Sequence, residues 1–269
     1  MNTDRSRVSC ASLYRLYGLM LIVFILSRCP APSGDIALYS GNGADDACLT
    51  ATHAMFEAAG YQVVLIGPRD INSTTLERFR VVCFPGGDMY QYARDISSSG
   101  KEQLRAYVSD GGAYIGICGG AYFTGEQVYW QGTELPVTCL GIFPGNTRGP
   151  LDVIAPYPYC VMCKVNMTDT LHPITRAEPD TAWIVYCYGP TFDPHSGADI
   201  DILGVYDISQ TPALVAWQYG SGRVFVIGPH PEFEEDDDRD GVDFCESFDD
   251  RGSDWDIMKN AVMWCLGEH

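Results

Sequence analysis

From Asp35 onward, short apolar runs alternate with stretches of helical spacing, and glycines mark most of the changeovers. That alternation constrains the fold more than any other feature of the chain. Ile36–Ser40 reads as a first strand and ends in the turn Gly41-Asn42-Gly43. Asp45–Ala59 follows with helical spacing at Leu49, His53 and Phe56, and Gly60 supplies its C-terminal stop. Tyr61–Ile66 reads as the second strand and Val81–Phe84 as the third, the latter running straight into Pro85-Gly86-Gly87. Lys101–Val108 is the next helix, and Ala113–Ile117 is a short buried strand that leads directly into Cys118. Strands alternating with helices predict a mostly parallel sheet with helices on both faces. The second half adds strands at Tyr159–Val165, Ile184–Tyr188, Ile202–Tyr206, Ala213–Gln218 and Arg223–Ile227, then a closing helix, Trp255–Leu266. No repeat or linker interrupts the pattern, so residues 35–269 are expected to form a single α/β domain.

Charge narrows the partners. Of 269 residues, 35 are acidic and 17 are Lys or Arg, a formal net of −18. Nucleic-acid binding is not expected, because neutralising phosphates requires clustered cations. The acidity is concentrated between Glu234 and Asp256, where twelve acids stand against two arginines.

The N-terminus follows a different logic. Arg5, Arg7 and Arg15 precede the apolar run Leu19–Leu26, a basic region followed by a short hydrophobic one. This is the layout of a secretory signal, and the run falls short of the about 20 residues of a membrane span. Residues 1–30 are therefore expected to be a signal peptide or a retained anchor. No Ala-x-Ala site is obvious, and Arg28 spoils the lipoprotein-like box ending at Cys29. The protein is expected to be exported, touching a membrane only through this segment.

Eleven cysteines are many for such a chain, and export would allow several to pair. Cys160 and Cys163 have CxxC spacing but lie in a strand-like stretch, where a bond between them is not favoured. Asn72 and Asn166 fit the glycosylation sequon, a triplet that also arises often by chance.

Gly116-Ile117-Cys118-Gly119-Gly120 carries the chemistry. A nucleophile on a tight strand-to-helix turn needs small residues two before and two after, so that strand and helix can pass closely. Such a turn exposes the side chain above the C-terminal edge of the sheet, where ligands bind in folds of this class. A helix N-terminus beneath the sulfur would favour its thiolate. Far along the chain, the strand Arg223–Ile227 is followed by Gly228-Pro229-His230-Pro231-Glu232. It can deliver the His230 imidazole to the same edge, with Glu232 orienting the ring.

Cys118 within Gly116–Tyr122, with His230-Pro231-Glu232 downstream, resembles the class I glutamine amidotransferase-like superfamily. Phe84-Pro85-Gly86-Gly87-Asp88, Gly111–Phe123, Phe143-Pro144-Gly145 and Gly149-Pro150 are more narrowly similar to the N-terminal domain of eukaryotic biotin–protein ligases. The resemblance, over roughly residues 35–268, implies a flavodoxin-like fold and a triad of Cys118, His230 and Glu232. It also implies an oxyanion hole built from Gly119 with Gly86 or Gly87. Because no ligase or synthetase segment follows in this chain, the expected activity is a stand-alone hydrolase of a C–N bond in a small-molecule or peptide amide. No cofactor is expected for catalysis. The competing reading is a non-catalytic module of the same fold that binds a small ligand or a protein.

Asp236, Asp238 and Asp240, followed by Gly241, match the core of a calcium loop. Ser247 stands where a full loop would carry Glu, so the expectation is a structural calcium ion weighed evenly against a solvated acidic loop.

Overall fold

The computed structural model describes residues 34–234, 238–248 and 252–268. The predicted N-terminal signal and Asp236 lie outside these residues. Along the first half run β1 (Ile36–Tyr39), α1 (Asp46–Ala58), β2 (Val63–Ile66), α2 (Ser73–Leu76), β3 (Val81–Phe84), α3 (Met89–Asp95), α4 (Ser98–Ser109), β4 (Ala113–Ile117) and α5 (Gly119–Tyr122). The second half comprises β5 (Gln127–Trp130), β6 (Thr133–Glu134), β7 (Gly145–Gly149), β8 (Val161–Met167), β9 (Thr181–Tyr186), β10 (Thr191–Pro194), β11 (Asp201–Tyr206), β12 (Pro212–Tyr219), β13 (Gly222–Ile227) and α6 (Trp255–Leu266).

Nine strands form the main sheet in the order β2-β1-β3-β4-β13-β12-β11-β8-β9. The first five are mutually parallel, and the remaining pairings are antiparallel. β1, β3 and β4 are buried at every residue, as expected of parallel strands covered on both faces. Alternate side chains serve two cores. Ile36, Leu38, Val81, Cys83, Ile115 and Ile117 pack with Met55 and Phe56 of α1 and Ile257, Met258 and Val262 of α6. Ala37, Tyr39, Val82, Phe84 and Tyr114 face the other way, toward Tyr92 of α3 and Leu104 and Val108 of α4.

The sequence also fixes the helix ends locally. The Asp45 carboxylate accepts the amides of Ala47 and Cys48 at the start of α1. Ser97 caps α4 through the amide of Gly100, and Gly267, at φ 74°, closes α6 in the left-handed region. That cap starts α4 three residues before the predicted Lys101. The strand expected at Tyr159–Val165 lies two residues later, because it is preceded by the turn at Pro158 and the largely exposed Tyr159.

A second sheet, β10-β7-β5-β6, was not predicted. Its strands are two to five residues long and rich in Gly, Thr and polar groups, so they lack an apolar alternation. It is tied to the main sheet where Thr191 Oγ1 of β10 donates to the Pro212 carbonyl of β12 at 2.8 Å. Among the described residues no helix is long and apolar enough to cross a membrane.

Candidate active site

The central parallel strands converge on one edge. Cys118 lies at the end of β4 with φ 45° and ψ −100°, a conformation that a non-glycine residue rarely adopts. Its amide donates to the Ile227 carbonyl at the end of the neighbouring β13 (2.9 Å), so nucleophile and histidine strand are tied by backbone. Gly116 and Gly120 make the turn feasible. A Cβ on Gly116 would come 2.6 Å from the Gly120 carbonyl, and one on Gly120 would run into the Phe84 carbonyl. The following α5 is a single turn, shorter than the sequence implied, so little helix dipole bears on the sulfur.

Three residues beyond β13, His230 donates its amide to the Val185 carbonyl at 2.8 Å, fixing the loop against β9. His230 Nδ1 lies 2.8 Å from Glu232 Oε1, with both side chains buried. The Glu232 carbonyl in turn accepts the Trp255 indole N–H from α6 at 3.0 Å. Burial opposes the imidazolium. The Glu232 carboxylate outweighs it and holds the His230 pKa well above the histidine range. His230 Nε2 and Glu232 Oε2 are buried with no hydrogen-bond partner among the described residues.

The glycine loop after β3 lies against the elbow. Gly87, at φ 146°, packs its backbone against Gly119, where a Cβ would run into the Gly87 carbonyl oxygen. Gly86 closes on the histidine, since a Cβ there would lie 2.6 Å from Cys48 Sγ and 2.7 Å from His230 Cε1. Side chains at these positions would push the loop off the sulfur.

Two neighbours escaped the sequence reading. Cys48, in the first turn of α1, puts Sγ 3.7 Å from His230 Nδ1, and burial pushes its thiol pKa up. Its signal was available, because the helix after β1 begins at the edge where ligands bind. Cys187 was hidden at the end of a predicted strand. Its carbonyl lies 3.5 Å from Cys118 Sγ, and its own sulfur is bonded to Cys160, not to Cys163. Cys48, Cys83, Cys118, Cys139, Cys163 and Cys265 carry free thiols. Among the described residues, Cys48, His230 and Glu232 form the one cluster able to offer three metal ligands. A cation there would have to displace the His230–Glu232 bond.

Asp238 and Asp240 lie in a 3₁₀ turn, and Asp240 is fully buried. Its two carboxylate oxygens accept the amides of Glu234 and Val242, each at 3.0 Å.

These elements surround a cavity of about 770 Å³ lined by Cys118, Cys48, His230 and Gly87, with Tyr122, Trp130 and Tyr188 among its aromatic residues. Similar proteins share the framework. A putative GMP synthase protein from Thermoplasma acidophilum superposes with a TM-score of 0.54 at 15% identity, covering 88% of this chain and 96% of its own. A putative ThuA-like protein from Bacteroides uniformis gives 0.54 at 16%, covering 90% and 95%. In sequence, the biotin–protein ligase of Schizosaccharomyces pombe is 24% identical over 214 residues, covering 74% of this chain. An uncharacterized protein of Chlamydia muridarum is 36% identical over 168 residues, or 58% of this chain. The chain spans 33% of the length of the first relative and 62% of the second. The family described as "Biotin-protein ligase, N terminal" matches residues 34–250, so the chain belongs to the biotin–protein ligase N-terminal domain family, with a glutamine amidotransferase-like fold.

Proposed function

We propose that this protein is a cysteine-dependent hydrolase of amide C–N bonds, with Cys118 as nucleophile, His230 as acid and base, and Glu232 as the group that orients the imidazole. One observation carries the reading: Cys118 on its strained elbow and His230, held by the buried Glu232, are carried by adjacent parallel strands and line the same cavity. His230 takes the thiol proton as Cys118 Sγ attacks the carbonyl carbon, and it returns that proton to the departing amine as the C–N bond breaks. Water then attacks the thioester, releasing a carboxylic acid and restoring the thiol. The amides of Gly119 and of Gly86 or Gly87 bind the oxygen that becomes negative.

Export fits the same reading. The Cys160–Cys187 disulfide beside the site would persist in an oxidising compartment. A structural calcium ion near Asp238 and Asp240 would raise the melting temperature in millimolar calcium and lose that effect with chelator.

The test is a panel of chromogenic amides, with intact-mass detection of an acyl adduct. Turnover and an adduct mapped to Cys118, both abolished by Cys118→Ala, support the hydrolase. Tight binding of amides without turnover or adduct would instead establish the non-catalytic module.

A further inference from the structure

The walls of the cavity point to a class of substrate. On one side, rings stand in series: Tyr122 to Trp130 at 5.9 Å, Trp130 to Tyr157 at 5.7 Å, and Tyr157 to Tyr188 at 5.0 Å between centroids. The Tyr122 hydroxyl donates to the Tyr188 carbonyl at 2.9 Å, which locks the two ends of this wall together. The same cavity is lined by two acidic residues, Asp45 and Asp88. The backbone holds them as a pair flanking the glycine loop: Asp45 N donates to Gly86 O at 3.2 Å, and Asp88 N donates to Gly43 O at 2.8 Å. Each spends one oxygen capping a helix, Asp45 on α1 and Asp88 on α3. The field of Asp45 reaches inward as far as the Cys48 thiol. Among the described residues, no Lys or Arg lines the cavity. His230 Nε2, buried and unpartnered, marks the reacting end of the space.

Aromatic faces attract cations through their quadrupoles, and carboxylates at the mouth of a low-dielectric cleft concentrate positive ligands. A free α-carboxylate, such as glutamine carries, would meet no cation and two like charges. Resting on the hydrolase reading above, we propose that the cleft takes amides bearing a positive charge near the scissile bond, an amine or a guanidinium held between the aromatic wall and the Asp45–Asp88 pair.

The experiment reads the cleft's charge preference through Cys118 and needs no substrate. Three methanethiosulfonate reagents, one carrying a trimethylammonium, one neutral and one a sulfonate, are reacted with the full chain. In each case Cys118 forms a mixed disulfide as methanesulfinate leaves. Rates are followed at Cys118 by peptide-resolved mass spectrometry, which separates Cys48, and are divided by those for a small free thiol. The expected result is a preference for the cationic over the anionic reagent of at least about tenfold. In Asp45→Asn/Asp88→Asn, whose asparagines still cap both helices, the preference should fall at least about threefold. Labelling of Cys118 without charge preference, or with a preference that survives the double substitution, overturns the substrate class and leaves the hydrolase standing. Failure of all three reagents at Cys118 removes the reactive thiol, and both readings fall together.

Discussion

The two halves of the main sheet solve different problems. In the parallel half, β1, β3 and β4 are apolar throughout and buried on both faces, so their order and ends are dictated by packing alone. In the antiparallel half, β8 alternates buried with half-buried residues, and β11 begins exposed. The parallel half holds the reacting thiol and the glycine loop. The antiparallel half supports them: Val185 pins the backbone of His230, and the Cys187 carbonyl meets Cys118 Sγ.

The sharpest contrast between the halves should appear in truncation. Ile115→Ala, in the fully buried β4, should cost about 2–5 kcal/mol in chemical denaturation. Lys164→Ala, in β8, loses only a partly exposed ion pair to Asp207 at 3.5 Å and should change stability by less than about 1 kcal/mol. Equal costs would dissolve the distinction.

Next in size is the disulfide, which the antiparallel half uses in place of two-sided burial. Cys160 and Cys187 are 27 positions apart, and Cys160→Ser should lower stability by roughly 3 kcal/mol in the chain-entropy picture. The unfolding midpoint under oxidising conditions reads it. An unchanged midpoint would mean that the walls stand without the clamp.

The smallest effect concerns pH. Burial, reinforced by Asp256 and partly offset by a hydrogen bond from Asn260, raises the Glu178 pKa from 4.5 to about 7. The folded state then holds its proton more tightly than the unfolded chain does. Stability from this group is complete below the unfolded value and is lost as pH rises through about 7. Glu178→Gln should flatten that decline in melting temperature between acid and neutral pH. A slope identical to the parent's would refute the assignment.

This same contrast governed what could be read from sequence. Ile36–Ser40, Val81–Phe84 and Ala113–Ile117 announce themselves as short apolar runs followed within two residues by Gly41, Gly86 and Gly119, and from them the edge shared by Cys118 and His230 follows by topology. Strands such as β7, Gly-Asn-Thr-Arg-Gly, give no such signal, because their pairing depends on partners distant in sequence. Cys187 was invisible for a related reason: it enters the site from an element identified for its packing. α3 was missed although Asp88 caps it, since its seven residues are too few to show a helical period.

The central claim is that Cys118, His230 and Glu232 act as one unit, and the rate of Cys118 alkylation by iodoacetamide tests it most directly. The parent protein should label rapidly near neutral pH. His230→Ala should slow the reaction at least about tenfold, and Glu232→Gln should fall between the two, because it removes the carboxylate that sustains the imidazolium. Equal rates in all three proteins, with each shown to be folded, would contradict the account.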